Sequence, residues 1–513
     1  MLLVFFFTLS PKQTIIGGFM IVQKKQQLAK EKFRIAEENQ RKFFLEGNLW
    51  KVILYVTFPI MLYLVFQTFF NAYDIVVVNR NQTQNLYSDN FLSSMNRVHI
   101  VKEILMPFGA SIATAGVILV GRTFGRKNTE KMRLYLAQTF VVSIIIGVIV
   151  TFLCTVVFKN IILHQFVDLS KISDQKQQNE LTNYYLIIIA SLVCIIINIV
   201  FLALERAKGN NKMVLWTTLV NVVVKIILSL VFWHFGENIT SLAWATLAAH
   251  AIITLFVFWF LFFNQNNHLK IILKKFRFDK AFLKNLFILA TPVCASIMTC
   301  SIGRMVISMI IKNNYDNGAG IDAQLILVVT VNNIFLNIIN AFADSQNAII
   351  SPNLGQNNMT RVFDTFKKIL IAIFVLAIIG SLVNIFCYPT ILSWLTGKDN
   401  LTTENSPESC TFKILLYFET TALFLTCTSI ILFSFFTCFK KTKVSLSMNL
   451  VRIIVGIFFL LLFKEAHIFK MDDDATKVGL SLLLGNLFCL IATLALFIPF
   501  YCRLKKENII LED

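Results

Sequence analysis

Charge is scarce in this chain. Asp, Glu, Lys and Arg make up 15% of its 513 residues, against roughly 25% in an ordinary soluble domain. Acid is the scarcer sign, with 29 Asp and Glu facing 47 Lys and Arg. Proline (8) and glycine (19) are too few for a collagenous or low-complexity chain. The ten cysteines include no Cys-x-x-Cys pair. Seven of them (Cys154, Cys194, Cys294, Cys300, Cys387, Cys427, Cys489) fall in apolar stretches and only Cys410 in a loop expected outside, so no framework of bridges between outer loops is available. Six His without metal-ligand spacing, no P-loop and no strand-borne Gly-x-Gly-x-x-Gly leave zinc modules and nucleotide enzymes without support, and neither a metal nor a cofactor is expected. What the chain has instead is apolar surface, at 56% hydrophobic residues and a mean hydropathy of +0.70.

That much apolar surface, gathered in long blocks, has no inside to occupy in water, so the partner is a lipid bilayer. A span needs about 20 mostly apolar residues. Twelve blocks qualify, at 52–78, 102–121, 134–158, 184–204, 213–235, 242–263, 285–311, 323–350, 369–388, 412–437, 444–463 and 477–500. Only helices and closed barrels satisfy their own backbone groups in lipid, and barrel strands would alternate at period 2. These blocks do not alternate, so the expected class is an all-α integral membrane protein of twelve transmembrane helices.

The net charge of +18 would suggest nucleic acid in a soluble chain. Here the charges sit between apolar blocks and read as topology signals, so no nucleic-acid partner is expected. The N-terminal segment, Lys51 and the loops at 122–133, 206–212, 264–284, 352–368, 438–443 and 501–513 hold 32 of the 47 Lys and Arg. The opposite side holds 12, and Lys225, Arg304 and Arg452 lie inside spans. This bias places both termini in the cytoplasm. Residues 1–22 carry two short apolar runs around Pro11 with no basic region before them, which is unlike a secretory signal. Residues 24–46 read as a mixed-charge helix lying on the headgroups.

The second half repeats the first. Pro59 is matched by Pro292, the Gly121-x-x-x-Gly125-x-x-Asn128 loop by Ser351-x-x-x-Gly355-x-x-Asn358, and Asn221 by Asn449, at offsets of 233, 230 and 228. Three matches in order at nearly constant offset predict two pseudo-symmetric six-helix bundles (6+6) around a central cleft. The expected organisation is an N-terminal segment (1–49), an N-terminal lobe (50–263), a basic linker (264–284), a C-terminal lobe (285–500) and a tail (501–513). An even number of helices per lobe gives both the same orientation, the parallel-repeat plan of one class of secondary transporter.

A charge in the hydrocarbon costs a few kcal/mol on insertion scales and needs a reason. The candidates are Asp74, Lys225, Arg304, Asp344, Glu419 and Arg452. The plain alternative for each is a helix-end charge that snorkels to the headgroups. Gln67, Asn71 and Asp74 are spaced to share one helical face, which is expected to turn inward. Lys225 lies one turn after Asn221 on the fifth span and is the natural partner for Asp74.

At this point the chain resembles the MATE (multidrug and toxic compound extrusion) family of the flippase-like MOP superfamily. The resemblance covers most of 47–500. Pro59 with Phe70-x-x-x-Asp74-x-x-x-Val78 is similar to that family's first helix, and Gly121-Arg122-x-Phe124-Gly125-Arg126-Lys127-Asn128 to its following loop. Arg206-Ala207-Lys208-Gly209-Asn210, Asn221, Ser241-Leu242-Ala243-Trp244-Ala245-Thr246 and Gly355-Gln356-Asn357 fall in the family's order and spacing. The resemblance implies an antiporter that exports organic cations or drugs against a Na⁺ or H⁺ gradient by alternating access. It also implies a cation site of Asp74, Asn221 and Thr246, with Gln67 as a substrate contact. Lys225 departs from the pattern, standing where an acid is usual. An ammonium there takes the place of a coupling cation, so an Asp74–Lys225 ion pair and coupling to H⁺ rather than Na⁺ are expected. Gln67, Asn71, Asp74, Asn221, Lys225 and Thr246 are thus the substrate and cation candidates.

The alternative is a flippase or exporter of an anionic, lipid-linked or similar substrate, favoured if Lys225, Arg304 and Arg452 all line the cleft. A membrane enzyme lacks the clustered His, Asp or Ser it would need. A monomer with a small-molecule substrate is expected, and the Asn, Ile, Lys and Phe bias suggests a bacterial plasma membrane. Most of the 50 Phe are expected to face lipid or core rather than cargo.

Overall fold

The structure, a computed structural model, describes residues 38–39, 41–82, 89–167, 169, 172, 174–236, 239–263, 277–315, 317–396, 407–465 and 473–507. Thirteen long helices carry the fold. In the first half these are α1 (Leu49–Gln82), α2 (Asp89–Leu105), α3 (Pro107–Gly125), α4 (Thr129–Phe152), α5 (Gln175–Ala207), α6 (Asn211–Gly236) and α7 (Ile239–Phe258). In the second they are α8 (Lys280–Asn314), α9 (Gly318–Gly355), α10 (Met359–Thr396), α11 (Pro407–Cys438), α12 (Thr442–Glu465) and α13 (Asp474–Glu507). Among the described residues they supply twelve helices long and apolar enough to cross a membrane. The second of these joins the end of α2 to α3, which meet at Pro107 in the first turn of α3, where a missing N–H costs no helical hydrogen bond.

Lipid explains which side chains stay outside. Val148, Phe152, Val156, Leu255, Phe263, Ile371, Phe386, Ile454 and Phe458 are exposed apolar residues that acyl chains would cover. Many other Phe are core. Phe366, Phe435, Phe497 and Phe500 of α10, α11 and α13 interlock with ring centroids 4.8 Å (Phe366–Phe435) and 5.2 Å (Phe366–Phe497) apart, and Phe436 stacks on Phe500 at 5.3 Å.

The two halves pack alike. In the first, α3 and α7 both pack on α5, and α6 packs on α7 and α1. In the second, α9 and α13 both pack on α11, and α12 packs on α13 and α8. Side chains repeat the pattern. Thr254 of α7 donates to Asn198 of α5 at 3.1 Å, and Thr426 of α11 donates to Asn486 of α13 at 3.0 Å, the same bond with the residue types exchanged.

The halves meet through α1, α3, α8 and α9. The seal is tightest at the face that carries the basic loops, where the repeated glycine motifs cross reciprocally. A Cβ on Gly125 would lie 2.1 Å from the carbonyl oxygen of Pro352, and one on Gly355 would lie 2.3 Å from that of Arg122. The two contacts are exchanged by the same 230-residue offset. The loops after them match too. Lys127 and Asn357 both take the left-handed conformation, at φ 61° and 57°. Asn128 and Asn358 then accept from the N–H of Lys131 and Arg361, at 3.0 and 3.2 Å, to cap the next helices.

Three sequence expectations need correction. The second span starts earlier than residue 102, because helix continues back to Asp89, and this takes Lys102 from a span edge into the protein, where it is buried. Cys410 lies in the first turn of α11 rather than in a loop, because the helix begins at Pro407. The described end of the N-terminal segment does not rest on headgroups. Phe44 and Leu45 are buried, and Arg41 donates to the carbonyls of Phe124 and Gly125 at 2.7 and 3.1 Å. Residues 1–37 lie outside the described residues. At the opposite face, Tyr315 between α8 and α9 donates to the Leu460 carbonyl at 2.7 Å, and its burial pushes the phenol up to about 12.

Candidate functional site

Polar side chains at mid-depth fall into one group in each lobe. In the N-terminal lobe α6 runs from the basic face outward, and Lys225 sits about 21 Å along it. The residue is 8% exposed, and its ammonium donates to the hydroxyl of Thr246 on α7 at 2.5 Å. The Thr246 hydroxyl donates its own hydrogen bond to the Leu242 carbonyl at 3.0 Å, which leaves the hydroxyl lone pairs for Lys225. Lys225 therefore occupies the oxygen that a cation at this place would use. Asn221 is one turn away on α6, and its side-chain oxygen is buried without a hydrogen-bond partner. Gln67 is half-buried on α1. The structure brings Lys225 and Thr246 together with Asn221 beside them. Asn71 and Asp74 belong to α1, but their side chains lie outside the described residues, and so does the expected Asp74–Lys225 pair.

Sequence reasoning missed the neighbours of this group. Both Lys102 and Lys225 lie within electrostatic reach of His99 and His250. A ring nitrogen of His99 lies 2.9 Å from the Tyr184 hydroxyl. The signal for both Lys102 and His99 was the apolar spacing of Val98, Val101 and Leu105, which continues the helix backward past the apolar block.

In the C-terminal lobe, three helices bring charges to one place. Arg452 lies about 15 Å from the basic end of α12 and about 20 Å from the other, so it stands near the middle of the bilayer. Its guanidinium donates to the Cys300 thiol of α8 at 2.9 Å. Glu419 of α11 interacts electrostatically with both Arg452 and Arg304. Arg452 and Glu419 are half-buried and Arg304 is exposed. Close packing at two glycines builds the site. A Cβ on Gly303 would lie 2.3 Å from Ile453, and one on Gly485 2.8 Å from the Arg452 carbonyl, so α8 and α13 both press on α12 at this level.

Between the lobes, Arg206 at the end of α5 pairs with Asp344 of α9 at 3.5 Å. Asp344 lies about 16 Å inward from the basic end of its helix. Its side chain is nevertheless 42% accessible, whereas that of Arg206 is 10%. A carboxylate that is deep along the helix and still accessible marks the floor of a hollow. Below it the seal closes, with Arg122 donating to the Cys438 carbonyl at 2.8 Å and Arg361 to those of Phe44 and Gly47 at 3.0 and 2.7 Å. Away from the Arg206–Asp344 pair, the described charges well inside the spans are Lys225, Arg304 and Arg452 against Glu419.

Two bundles of six helices, related by an internal repeat and each holding polar groups at mid-depth, define a two-lobed membrane transporter fold. A family model described as MatE matches residues 59–231. Solved structures share the fold over 90% of this chain. A MOP superfamily transporter from Pyrococcus furiosus, whose binding pocket is described as having reverse polarity that suggests a different function, has a TM-score of 0.79 at 16% identity, with 98% of that chain covered. The outward-facing conformation of a multidrug resistance MATE family transporter has a TM-score of 0.79 at 17% identity, also with 98% covered. A MATE structure in complex with MaL6 has a TM-score of 0.78 at 17% identity, with 99% covered. No curated protein matches the sequence. Residues 59–231 thus match the MatE model, and the chain has the fold of solved MATE and MOP superfamily transporters, the family its motifs resemble.

Proposed function

We propose that this protein is a secondary active transporter that exports small amphipathic molecules from a bacterial cytoplasm by alternating access, with H⁺ as the coupling ion. The basic face is cytoplasmic by the excess of Lys and Arg in its loops. With that face sealed and the Asp344 floor accessible above it, the conformation is outward-open. Rocking of the lobes about the α1, α3, α8 and α9 contacts would exchange the seal, and a ligand drives this only through better binding to one state. The ammonium of Lys225 on Thr246 supports proton over Na⁺ coupling, since a metal cation would have to displace a fixed positive charge.

Two cargo readings follow from the sequence. Export of organic cations rests on Asp74 and on the family resemblance. The described interior favours the other reading, an anionic cargo: three basic side chains against one carboxylate give a field that repels cations, and adding Asp74 leaves the balance positive. The observation that carries this choice is Arg452, near mid-bilayer and donating to the Cys300 thiol with no carboxylate within ion-pair distance among the described residues, with Arg304 one turn from that thiol. The pocket of reverse polarity described for the Pyrococcus furiosus relative fits the same idea.

The test is flux from proteoliposomes loaded with ethidium or with taurocholate, under a pH gradient or a Na⁺ gradient applied separately. Taurocholate efflux driven by pH alone is expected. Efflux of ethidium and not taurocholate would reinstate the cation reading, and a strict Na⁺ requirement would remove the role given to Lys225.

A further inference from the structure

The internal repeat locates a second site that the sequence motifs leave unassigned. The 233-residue offset that relates Pro59 to Pro292 carries Gln67 onto Cys300 and Asn71 onto Arg304. The 228-residue offset that relates Asn221 to Asn449 carries Lys225 onto Ile453, the neighbour of Arg452. Cys300 and Arg304 therefore take on α8 the positions that Gln67 and Asn71 take on α1, and Arg452 lies one residue from the repeat position of Lys225. The two places have different chemistry. The N-terminal one pairs a single ammonium with a hydroxyl, while the C-terminal one offers two guanidiniums.

The hydrogen bonding of Arg452 is incomplete for a guanidinium at this depth. Five N–H donors point from a planar fork whose preferred partner is a carboxylate, sulfonate or phosphate. The partner it has is a thiol, a weak acceptor. Among the described residues no carboxylate lies within ion-pair distance of Arg452, although Glu419 is near enough to interact through space. Arg304, exposed one turn along α8 from Cys300, adds a second fork. A charge near the centre of the bilayer cannot remain on a lipid-facing side at small cost. Its accessibility therefore means that it faces the solvated hollow.

We propose that Arg452 and Arg304 form the seat for the acidic group of the cargo, an oxyanion carried on an apolar body, with Glu419 as the internal counter-charge that weakens the seat and lets the ligand leave. The Cys300 thiol holds the Arg452 fork in place when the seat is empty. The proposal rests on the anionic-cargo reading above and adds where the anion binds and what opposes it. An anionic lipid headgroup and a soluble organic anion share this chemistry, so the test separates them.

The probes are naphthalene-2-sulfonate and trimethyl(2-naphthyl)ammonium, one ring with opposite charges. Binding is read as the ligand-dependent shift in unfolding midpoint of the full-length protein in nanodiscs of phosphatidylcholine, with and without phosphatidylglycerol. The wild type is expected to bind the sulfonate at least tenfold more tightly than the ammonium. Arg452→Gln should weaken sulfonate binding tenfold or more, with Arg452→Lys intermediate, and Arg304→Gln several-fold. Glu419→Gln should tighten it several-fold, a gain that a misfolded variant cannot produce. Competition from phosphatidylglycerol would identify a lipid headgroup as an occupant, and its absence a soluble anion; either agrees with the seat. Arg452→Gln binding the sulfonate as the wild type does, or Glu419→Gln binding it more weakly, overturns the proposal. Proteoliposome flux keeps the two claims apart. Binding that responds as stated, without flux of either probe, removes the transport reading and leaves the seat. Sulfonate flux unchanged in Arg452→Gln does the reverse.

Discussion

Adding one methyl group at Gly125 should open the basic face. A Cβ there would lie 2.1 Å from the Pro352 carbonyl oxygen, well short of the roughly 3.5 Å of ordinary heavy-atom contact. The obstacle is backbone inside α9, so no side chain can swing away, and the lobes must separate by about 1 Å or more. Overpacking of this kind costs about 1–3 kcal/mol. If only the sealed state bears that cost, the balance between sealed and open states shifts by about 5- to 150-fold, at 1.4 kcal/mol for each factor of ten. A native reporter sits at the seal. Cys438 is buried, its thiol donates to Asn347 at 3.1 Å, and its carbonyl accepts from Arg122. Reaction with N-ethylmaleimide, read peptide by peptide by mass spectrometry, should be faster at Cys438 in Gly125→Ala by a factor in that range. Exposed Cys502 and core Cys427 should react as in the wild type, which excludes general unfolding. Gly355→Ala, whose Cβ would meet the Arg122 carbonyl at 2.3 Å, should give the same result. Unchanged Cys438 reactivity in both variants would refute the claim that these glycines hold the lobes together.

Further expectations follow from single contacts. Lys225→Met removes the donor to Thr246 and should flatten the pH dependence of efflux; an unchanged pH profile would end the coupling role given to this lysine. Arg361→Ala removes two charge-assisted bonds to the Phe44 and Gly47 carbonyls, each worth about 1.5–3 kcal/mol. Trypsin cleavage after Lys42 should then be at least tenfold faster, and a wild-type rate would mean that the segment is held by other contacts. Asn384→Leu removes the donor to the Asn332 side-chain oxygen, a fully buried pair at 2.6 Å between α10 and α9. It leaves a buried acceptor unsatisfied, at about 1–3 kcal/mol, so the unfolding midpoint in detergent should fall; an equal or higher midpoint would show that the pair adds nothing.

The sequence by itself determined the solvent, the number of helices and the internal repeat. Each of these is written in local pattern: apolar block length follows bilayer thickness, and the Gly-x-x-x-Gly loops recur at a fixed offset because each half uses them for the same crossing. It also placed Lys225 one turn from Asn221 on α6, while Thr246 entered only through the family resemblance and the partner expected for Lys225 was Asp74. Only the tertiary structure decided which distant charges meet. Arg452, Arg304 and Glu419 sit on three helices, and no local pattern shows which of their faces converge. Contacts at Gly303, against the Ile453 side chain, and at Gly485, against the Arg452 carbonyl, set how α8 and α13 pack on α12. The same holds for Arg206 and Asp344, 138 positions apart, and for Lys102, read as a span edge until α2 carried its helix further outward. Local periodicity fixes what a helix is, whereas packing between helices fixes which side chains share a charge environment.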